Sequence, residues 1–276
     1  MAPHSNLILS LLLLFICKGV SGSTFTFVNK CDFTVWPGLL GSPKLDSTGF
    51  ELSQGGSRTF QAPAGWSGRF WGRTSCNFDG SGSGSCATGD CGSGEVECNG
   101  GGSSPPVTLA EFTLGSASGS QDFYDVSLVD GYNLPMTVEV SGGSGSCAST
   151  GCVLDLSRQC PVELRTADGG ACKSACEAFG TPQYCCKGAY NSPSACTPSV
   201  YSQMFKSACP RSYSYAYDDS TSTLRVRVLI TLSRSAVWAK PKVFQWRSTI
   251  RWCRERVRVR VRKWNWIRVS GGADGC

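Results

Sequence analysis

The sequence predicts a mainly β fold with a disulfide-rich region of loops and short helices. Its 276 residues include 33 Gly and 13 Pro, and this abundance is typical of short strands joined by tight turns. Several segments alternate apolar and polar residues, which is the pattern of half-buried strands. The chain also contains 17 cysteines, a density that indicates a disulfide framework formed in an oxidising compartment.

The N-terminal residues 1–22 predict a secretory signal peptide. An apolar run from Leu7 to Cys17 is followed by the small residues Val20, Ser21 and Gly22, which suit cleavage before Ser23 or within two residues of it. The apolar run is too short to span a membrane. We therefore expect a secreted mature protein.

Alternating segments locate most of the expected strands. They lie at residues 23–28, 34–36, 57–60, 67–74 and 136–140. Pro37 is expected to begin a loop after the second strand. In the fourth strand, period two places Arg69, Trp71 and Arg73 on one face. That face is either a ligand-facing stripe or an exposed surface with stacked guanidinium groups, and we favour the exposed surface.

The stretch from Leu109 to Pro135 is rich in acids and free of bases. It contains Glu111, Asp122, Asp125 and Asp130, and no Lys or Arg lies between residues 73 and 158. Residues 122–131 predict a strand that ends at an Asp-Gly turn. Its carboxylates are delivered either to a cleft or to solvated strand ends. Because alternation puts Asp125 and Asp130 on opposite faces, both can face one cleft only if the chain turns after Val129.

Two regions are dense in cysteine. Four cysteines lie within residues 76–102, and their spacing lacks the C-x-x-C pairs of a zinc site, so we expect bridges. Nine more lie between Cys147 and Cys209, in a region where residues 170–180 predict a short helix ending at Gly180 and residues 199–208 predict another. A cleft between this region and the β domain is the natural place for a binding site.

Histidine is missing from the expected mature chain, because His4 lies in the signal peptide. This excludes catalysis by Ser-His-Asp or Cys-His groups and any metal site with histidine ligands. We expect no metal and no cofactor. Any chemistry must come from carboxylates.

Residues 82–98 read GSGSCATGDCGSGEVEC and resemble, position for position, the signature of the thaumatin-like proteins, a plant defence family that includes osmotin and zeamatin. Five further segments support the resemblance, which covers Ser23 to about Leu224. They are FTFVNKC at 25–31, LAEF at 109–112, VDGYNLPM at 129–136, QYCC at 183–186 and CPRSYSYAYDD at 209–219.

The resemblance implies an antiparallel β-sandwich, a disulfide-rich domain with short helices, a small third lobe and an acidic cleft that binds β-1,3-glucan of fungal cell walls. The implied cleft residues are Arg69, Glu111, Asp125, Asp130 and Asp219, with Asp218 as an alternative to the last. We expect a secreted, monomeric antifungal protein of the apoplast, or of the vacuole. Its expected partner is the fungal wall, with the fungal membrane surface as a second, and nucleic acid is not expected.

Two other functions stay open. One is an endo-β-1,3-glucanase, in which Glu111 is the general acid and Asp125 the base or nucleophile, since glycoside hydrolysis needs a carboxylate pair and no histidine. The other is an enzyme inhibitor or receptor-binding ligand on the same scaffold.

The resemblance also implies a disulfide pattern in which Cys31 and Cys147 have no partner. The implied bridges join Cys76 to Cys86, Cys91 to Cys98, Cys152 to Cys209, Cys160 to Cys172, Cys176 to Cys185 and Cys186 to Cys196. Family members carry a final strand with two more cysteines, whereas the neighbours of Cys253 and Cys276 do not resemble that ending. We therefore expect neither residue to replace the lost partners.

Residues 225–276 form a basic tail with 14 Lys and Arg against two acids. Two interpretations are open: a frameshift, retained intron or gene-model error, or a genuine basic extension that adheres to anionic surfaces. The sandwich is then expected to lack its final strand and to expose a sheet edge. The Arg-Val alternation could fill the gap as a substitute strand, but it would place arginines on one whole face and would not supply the lost bridges.

Overall fold

The computed structural model of the protein describes residues 22–117, 120–141, 144–145, 148–227 and 247–253. Of the predicted signal peptide, only Gly22 lies within these ranges, where it begins the first strand. Cys147, Cys276 and most of the basic tail lie outside the described residues. None of the described helices is long and apolar enough to cross a membrane.

Twelve strands are described in two sheets. They are β1 (Gly22–Asn29), β2 (Trp36–Ser42), β3 (Ser57–Pro63), β4 (Ser67–Phe78), β5 (Gly84–Thr88), β6 (Leu109–Thr113), β7 (Gln121–Ser127), β8 (Met136–Ser141), β9 (Ser144–Gly145), β10 (Thr150–Cys152), β11 (Leu224–Arg227) and β12 (Arg247–Trp252). The smaller sheet has the order β10-β8-β12-β1-β3, and the larger has the order β2-β4-β6-β7-β11-β9, with β5 paired to β4. This mainly β, largely antiparallel architecture confirms the predicted fold class.

Aromatic side chains from both sheets fill the space between them. Phe25 and Phe27 of β1 meet Phe70 of β4 edge to face, with ring centroids 4.9 and 5.1 Å apart. All three rings are fully buried, and each contributes about 1.5–3 kcal/mol through removal from water. This core fixes which face of the larger sheet points outward.

The disulfide-rich region carries the helices. They are α1 (Ala175–Phe179), α2 (Pro182–Cys185), α3 (Val200–Ala208) and α4 (Asp219–Ser222). Ser174 caps α1 by accepting a hydrogen bond from the Glu177 backbone N–H, and Gly180 ends it with φ of 64°, a conformation that glycine adopts without strain. Ser199 caps α3 in the same way. Both helices lie where the sequence predicted them.

Six disulfides pair the cysteines as the resemblance implied. They join Cys76 to Cys86, Cys91 to Cys98, Cys152 to Cys209, Cys160 to Cys172, Cys176 to Cys185 and Cys186 to Cys196. A seventh joins Cys31 to Cys253. The expectation that Cys31 lacks a partner is therefore wrong.

The expectation of a missing final strand is also wrong. Strand β12 lies inside the smaller sheet, parallel to β1 and antiparallel to β8. Its Ser248, Ile250 and Trp252 are buried, while Thr249 and Arg251 are partly exposed. A strand requires this alternation rather than a family-like sequence, so a segment that does not resemble the family ending completes the sheet. The first Arg-Val repeat, in β11, pairs with β7 of the larger sheet.

Two further predictions need correction. Pro37 does not begin a loop but lies within β2, and this edge strand tolerates a residue without a backbone N–H. Trp71 and Arg73 do share a face of β4, but both are fully buried rather than exposed. The disulfide-bonded loop covers that end of the strand, and the Arg73 guanidinium donates to the carbonyls of Trp36 and Val96.

Candidate functional site: an acidic cleft

Three charged residues form a row across the outer face of the larger sheet. Arg69 of β4 lies opposite Glu111 of β6, and Glu111 lies opposite Asp125 of β7. Directly opposite residues of antiparallel strands have Cβ atoms about 4.5–5.5 Å apart. Alternation explains the arrangement, because neighbouring residues such as Phe70 and Phe112 point into the core. Period-two patterning therefore brings one base and two acids side by side.

A turn brings Asp130 to the same row. Strand β7 ends at Ser127, and the Gly131 N–H donates to the Leu128 carbonyl at 3.0 Å, which closes the turn. Asp130 and Asp125 then line one cavity of about 350 Å³ together with Arg69 and Glu111. The chain thus turns as the sequence required for both acids to face one cleft.

Tyr213 connects this cavity to Asp219. Its ring lines the cavity, and its hydroxyl donates to Asp219 Oδ1 at 2.8 Å. Asp219 is exposed at the start of α4. Asp218, in contrast, is buried and forms an ion pair with Lys206 Nζ at 2.9 Å. Its carboxylate therefore stabilises the disulfide-rich region and does not face the cleft. Of the two candidates, Asp219 is the one whose charge acts on Asp125, but it is not among the residues that line the cavity.

Burial, and to a smaller extent the proximity of the acids, changes the ionisation of Asp125 and Glu111. Burial raises the pKa of Asp125 to about 8, and the charges of Glu111 and Asp219 add to the effect. Burial also raises the pKa of Glu111, with Asp130 adding to the increase and Arg69 opposing it. Asp125 Oδ1 is buried and has no hydrogen-bond partner among the described residues. At neutral pH the Asp125 carboxyl therefore keeps its proton and can donate a hydrogen bond as well as accept one.

Comparison with known proteins identifies the family. The model of the thaumatin family matches residues 29–232. The chain belongs to the thaumatin family. The match extends beyond Leu224, the expected end of the resemblance, and includes β11.

Plant relatives of this thaumatin-like protein are highly similar. Thaumatin-like protein 1 of Arabidopsis thaliana is 66% identical over 74% of this chain and 82% of the relative. Pathogenesis-related protein 5 of the same plant is 58% identical over 77% of this chain and 90% of the relative. A Prunus avium protein named glucan endo-1,3-beta-glucosidase is 52% identical over 74% of this chain and 86% of the relative.

Some residues that line the cleft of this thaumatin-like protein could not be predicted from the positions of the acids in the sequence. Tyr213 and Ser127 line the central cavity, but neither carries a charge that marks it in the sequence. Asp122 belongs to the acid-rich stretch yet lies on the buried side of β7, where its Oδ1 accepts from the Gly115 backbone N–H at 2.5 Å. The acids of one strand therefore divide between a structural and a cleft-facing role.

We expect Asp125→Asn to raise the free energy of unfolding by about 1–3 kcal/mol near pH 8, and by less at pH 4. The pKa of Asp125 is about 8 in the folded protein, so the folded state holds a proton that the unfolded chain releases. The wild-type protein therefore loses stability as pH rises from about 4 to 8, whereas asparagine has no proton to lose. Urea unfolding of both forms at pH 4, 6 and 8 measures the difference.

Asp32→Asn is the matched control, because Asp32 is exposed and lies outside the cavity. Its effect is expected to be small and the same at each pH. If the effect of Asp125→Asn is equally independent of pH, the carboxyl group does not hold its proton in the folded state.

Proposed function

We propose that this protein binds neutral β-1,3-glucan of fungal cell walls in the acidic cleft, as a secreted monomer in antifungal defence of the apoplast. The cross-strand row of Arg69, Glu111 and Asp125 is the observation that carries the proposal. The Arg69 guanidinium only donates hydrogen bonds, an ionised carboxylate only accepts them, and a protonated carboxyl group does both. Sugar hydroxyls also donate and accept, so a polyhydroxylated chain matches this mixture.

The charge of the cleft argues against other ligands. Among the described residues that line the cavity, Glu111, Asp125 and Asp130 are acids and Arg69 is the one base, so an anionic ligand meets an excess of acids. Among the described residues, no group of three or more His, Cys, Asp or Glu side chains is placed to hold a metal ion. A neutral ligand rich in hydroxyl groups fits best, and the name of the Prunus avium relative supports glucan as its chemical class.

We expect the folded protein to co-sediment with insoluble β-1,3-glucan, and Glu111→Ala to weaken this binding about tenfold or more. The reason is that a hydrogen bond to a charged group contributes about 1.5–3 kcal/mol. The bound fraction at increasing glucan concentration, measured after centrifugation, gives the affinity of each form.

Glu51→Ala removes the same side-chain atoms from an exposed position outside the cleft and should bind as the wild type does. Circular dichroism establishes that each variant is folded. Complete recovery of folded wild-type protein in the supernatant contradicts glucan binding. Equal binding by Glu111→Ala and wild type places the glucan elsewhere on the surface.

Hydrolysis of the bound glucan is a second candidate function, favoured by the direct pairing of Glu111 with Asp125. Two carboxyl groups about 5–5.5 Å apart are typical of retaining glycosidases, whereas inverting enzymes need about 6.5–9.5 Å. The register places the Cβ atoms of Glu111 and Asp125 about 4.5–5.5 Å apart, and the conformations of the two side chains then set the separation of the carboxyl groups. A pKa of about 8 favours Asp125 as the general acid, with Glu111 as the nucleophile of a retaining mechanism. These roles are the opposite of those expected from sequence.

A further inference from the structure

Three cavities adjoin one another along the cleft. A cavity of about 470 Å³ at the Leu40 and Phe123 end shares Arg69, Glu111 and Asp125 with the central one. The central cavity in turn shares Val129, Asp130 and Ala216 with a third cavity of about 340 Å³. Because each cavity shares lining residues with the next, together they form a continuous groove rather than an isolated pocket.

The third cavity lies between the turn at Asp130 and the helices of the disulfide-rich region. We propose that this cavity is a second carbohydrate subsite, in which the Tyr184 ring packs against a sugar residue of the glucan chain that occupies the central cleft. The proposal rests on the proposed glucan binding and extends it to the length of chain that the protein recognises. Tyr184, Tyr215 and Glu177 line the cavity, together with Lys187 and several serines.

Tyr184 is held in place before any ligand binds. Its ring contacts Phe179 at a centroid distance of 5.4 Å and Tyr201 at 5.9 Å. The Tyr201 hydroxyl donates to Glu163 Oε1 at 3.0 Å, which orients the third ring of this aromatic cluster. A preorganised aromatic ring loses little conformational entropy when a ligand packs on it. The apolar C–H face of a sugar ring is a suitable partner for such a surface.

Glu177 gives the cavity a polar group that needs a partner. Its Oε2 is buried and has no hydrogen-bond partner among the described residues. Burial raises the pKa of Glu177 to about 7, with Asp130 adding to the increase and Lys173 opposing it. A carboxyl group in this state both donates and accepts, as a sugar hydroxyl does. Two acids, Glu177 and Asp130, line the cavity with one base, Lys187, so a neutral sugar fits better than an acidic one.

The test compares neutral β-1,3-glucan oligosaccharides of increasing length by isothermal titration calorimetry. We expect the affinity of the wild type to keep rising once an oligosaccharide is long enough to reach the third cavity. Tyr184→Ala should lower the affinity for long oligosaccharides about tenfold, as truncation of a buried aromatic contact does, and leave that for short ones unchanged. Tyr184→Phe, which keeps the ring, should bind long oligosaccharides as tightly as the wild type does. Tyr215→Ala should also lower the affinity for long oligosaccharides.

Tyr190→Ala is the matched control, because Tyr190 is an exposed tyrosine of the same region and does not line the cavity. If Tyr184→Ala and Tyr215→Ala bind long oligosaccharides as tightly as the wild type, the subsite is overturned while binding in the central cleft stands. If Glu111→Ala also has no effect at any length, or if the wild type binds no oligosaccharide, the proposed function fails and the subsite with it.

Discussion

Replacement of Trp252 by alanine should lower the free energy of unfolding by about 3–5 kcal/mol, the usual cost of truncating a buried aromatic side chain. The indole ring is fully buried and stacks on Phe27 with centroids 5.7 Å apart. In register, Trp252 lies between Asn29 of β1 and Met136 of β8. Its removal therefore leaves a cavity where the final strand joins its two neighbours. For a domain of this size the melting temperature should fall by about 6–20 °C.

The matched control is Arg251→Ala in the same strand. Arg251 forms an ion pair with Glu139 at 2.9 Å, and both side chains are more than a third exposed. Such a pair contributes about 1 kcal/mol or less, so the melting temperature should change little. Thermal unfolding of the wild type and both variants measures the difference.

Mass mapping of the unreduced protein should in addition recover Cys31 and Cys253 in one disulfide-linked peptide pair.

Equal melting temperatures for wild type and Trp252→Ala, together with a free thiol at Cys31, mean that residues 247–253 do not fill the sheet. That outcome favours the interpretation of the basic tail as an artefact of the coding sequence. A large loss of stability with the bridge in place instead establishes the tail as the source of the final strand.

Strand β12 contains buried polar atoms that destabilise the folded protein. Trp252 Nε1 and Ser248 Oγ are buried and have no hydrogen-bond partners among the described residues. Each such group costs about 1–3 kcal/mol relative to a satisfied one. Burial of Ile250 and the indole ring offsets this cost, because removal of large apolar side chains from water contributes about 1.5–3 kcal/mol each. Apolar burial, rather than polar complementarity, therefore stabilises the final strand.

Local patterns predicted the elements that depend on local chemistry. The αL glycine at residue 180 and the serine caps at residues 174 and 199 fix helix ends through neighbouring backbone groups. The turn at Asp130 and Gly131 was likewise predicted from the Asp-Gly pair that ends the strand. These features need no knowledge of distant residues, and the structure has them where the sequence placed them.

Features that depend on distant contacts were not predictable in this way. Strand β12 pairs with β1, which is more than 200 residues earlier in the chain, as the sequence separation of 222 in the Cys31–Cys253 bridge indicates. A six-residue segment has too few alternating positions to specify such a partner. The burial of Arg73 depends on the carbonyl groups of Trp36 and Val96, which accept hydrogen bonds from its guanidinium. These acceptors lie far from Arg73 in the sequence, so alternation alone led to the expectation that Arg73 is exposed. In both cases the contacts, and not the composition of the segment, decide the outcome.

In the cleft, too, some features follow from the sequence and others depend on contacts between distant residues. The resemblance supplied Arg69, Glu111 and Asp125 as a set, but only the strand register places them side by side. Burial raises the pKa of Asp125, and the charge of Glu111 directly opposite raises it further. Two like charges that face each other across strands destabilise a sheet. Carboxyl groups held in unfavourable surroundings are typical of sites that bind or transform a ligand. The destabilising arrangement is therefore itself an argument for function in the cleft.

If the protein hydrolyses β-1,3-glucan, Glu111→Gln and Asp125→Asn should each lower reducing-sugar release by about 10²–10⁴-fold, the usual contribution of a general acid or base. Both substitutions keep the size of the side chain and remove its ability to exchange a proton. Because the pKa of Asp125 is about 8, wild-type activity should fall as pH rises above 8, where the general acid loses its proton. A product with the anomeric configuration of the substrate indicates a retaining mechanism, and a product with the opposite configuration indicates an inverting one.

A substrate with an activated leaving group separates the two roles. Such a leaving group needs no proton, so Asp125→Asn should keep most of the wild-type kcat/KM on it, whereas Glu111→Gln should not. The kcat of Asp125→Asn should still fall, because the same carboxyl group accepts the proton of the water that hydrolyses the glycosyl-enzyme. Glu51→Gln, at an exposed position outside the cleft, should match the wild type on both substrates. The opposite pattern, with activity retained by Glu111→Gln, assigns the acid role to Glu111. Release of sugar that survives both substitutions excludes this carboxyl pair and leaves the cleft as a site that binds glucan without cleaving it.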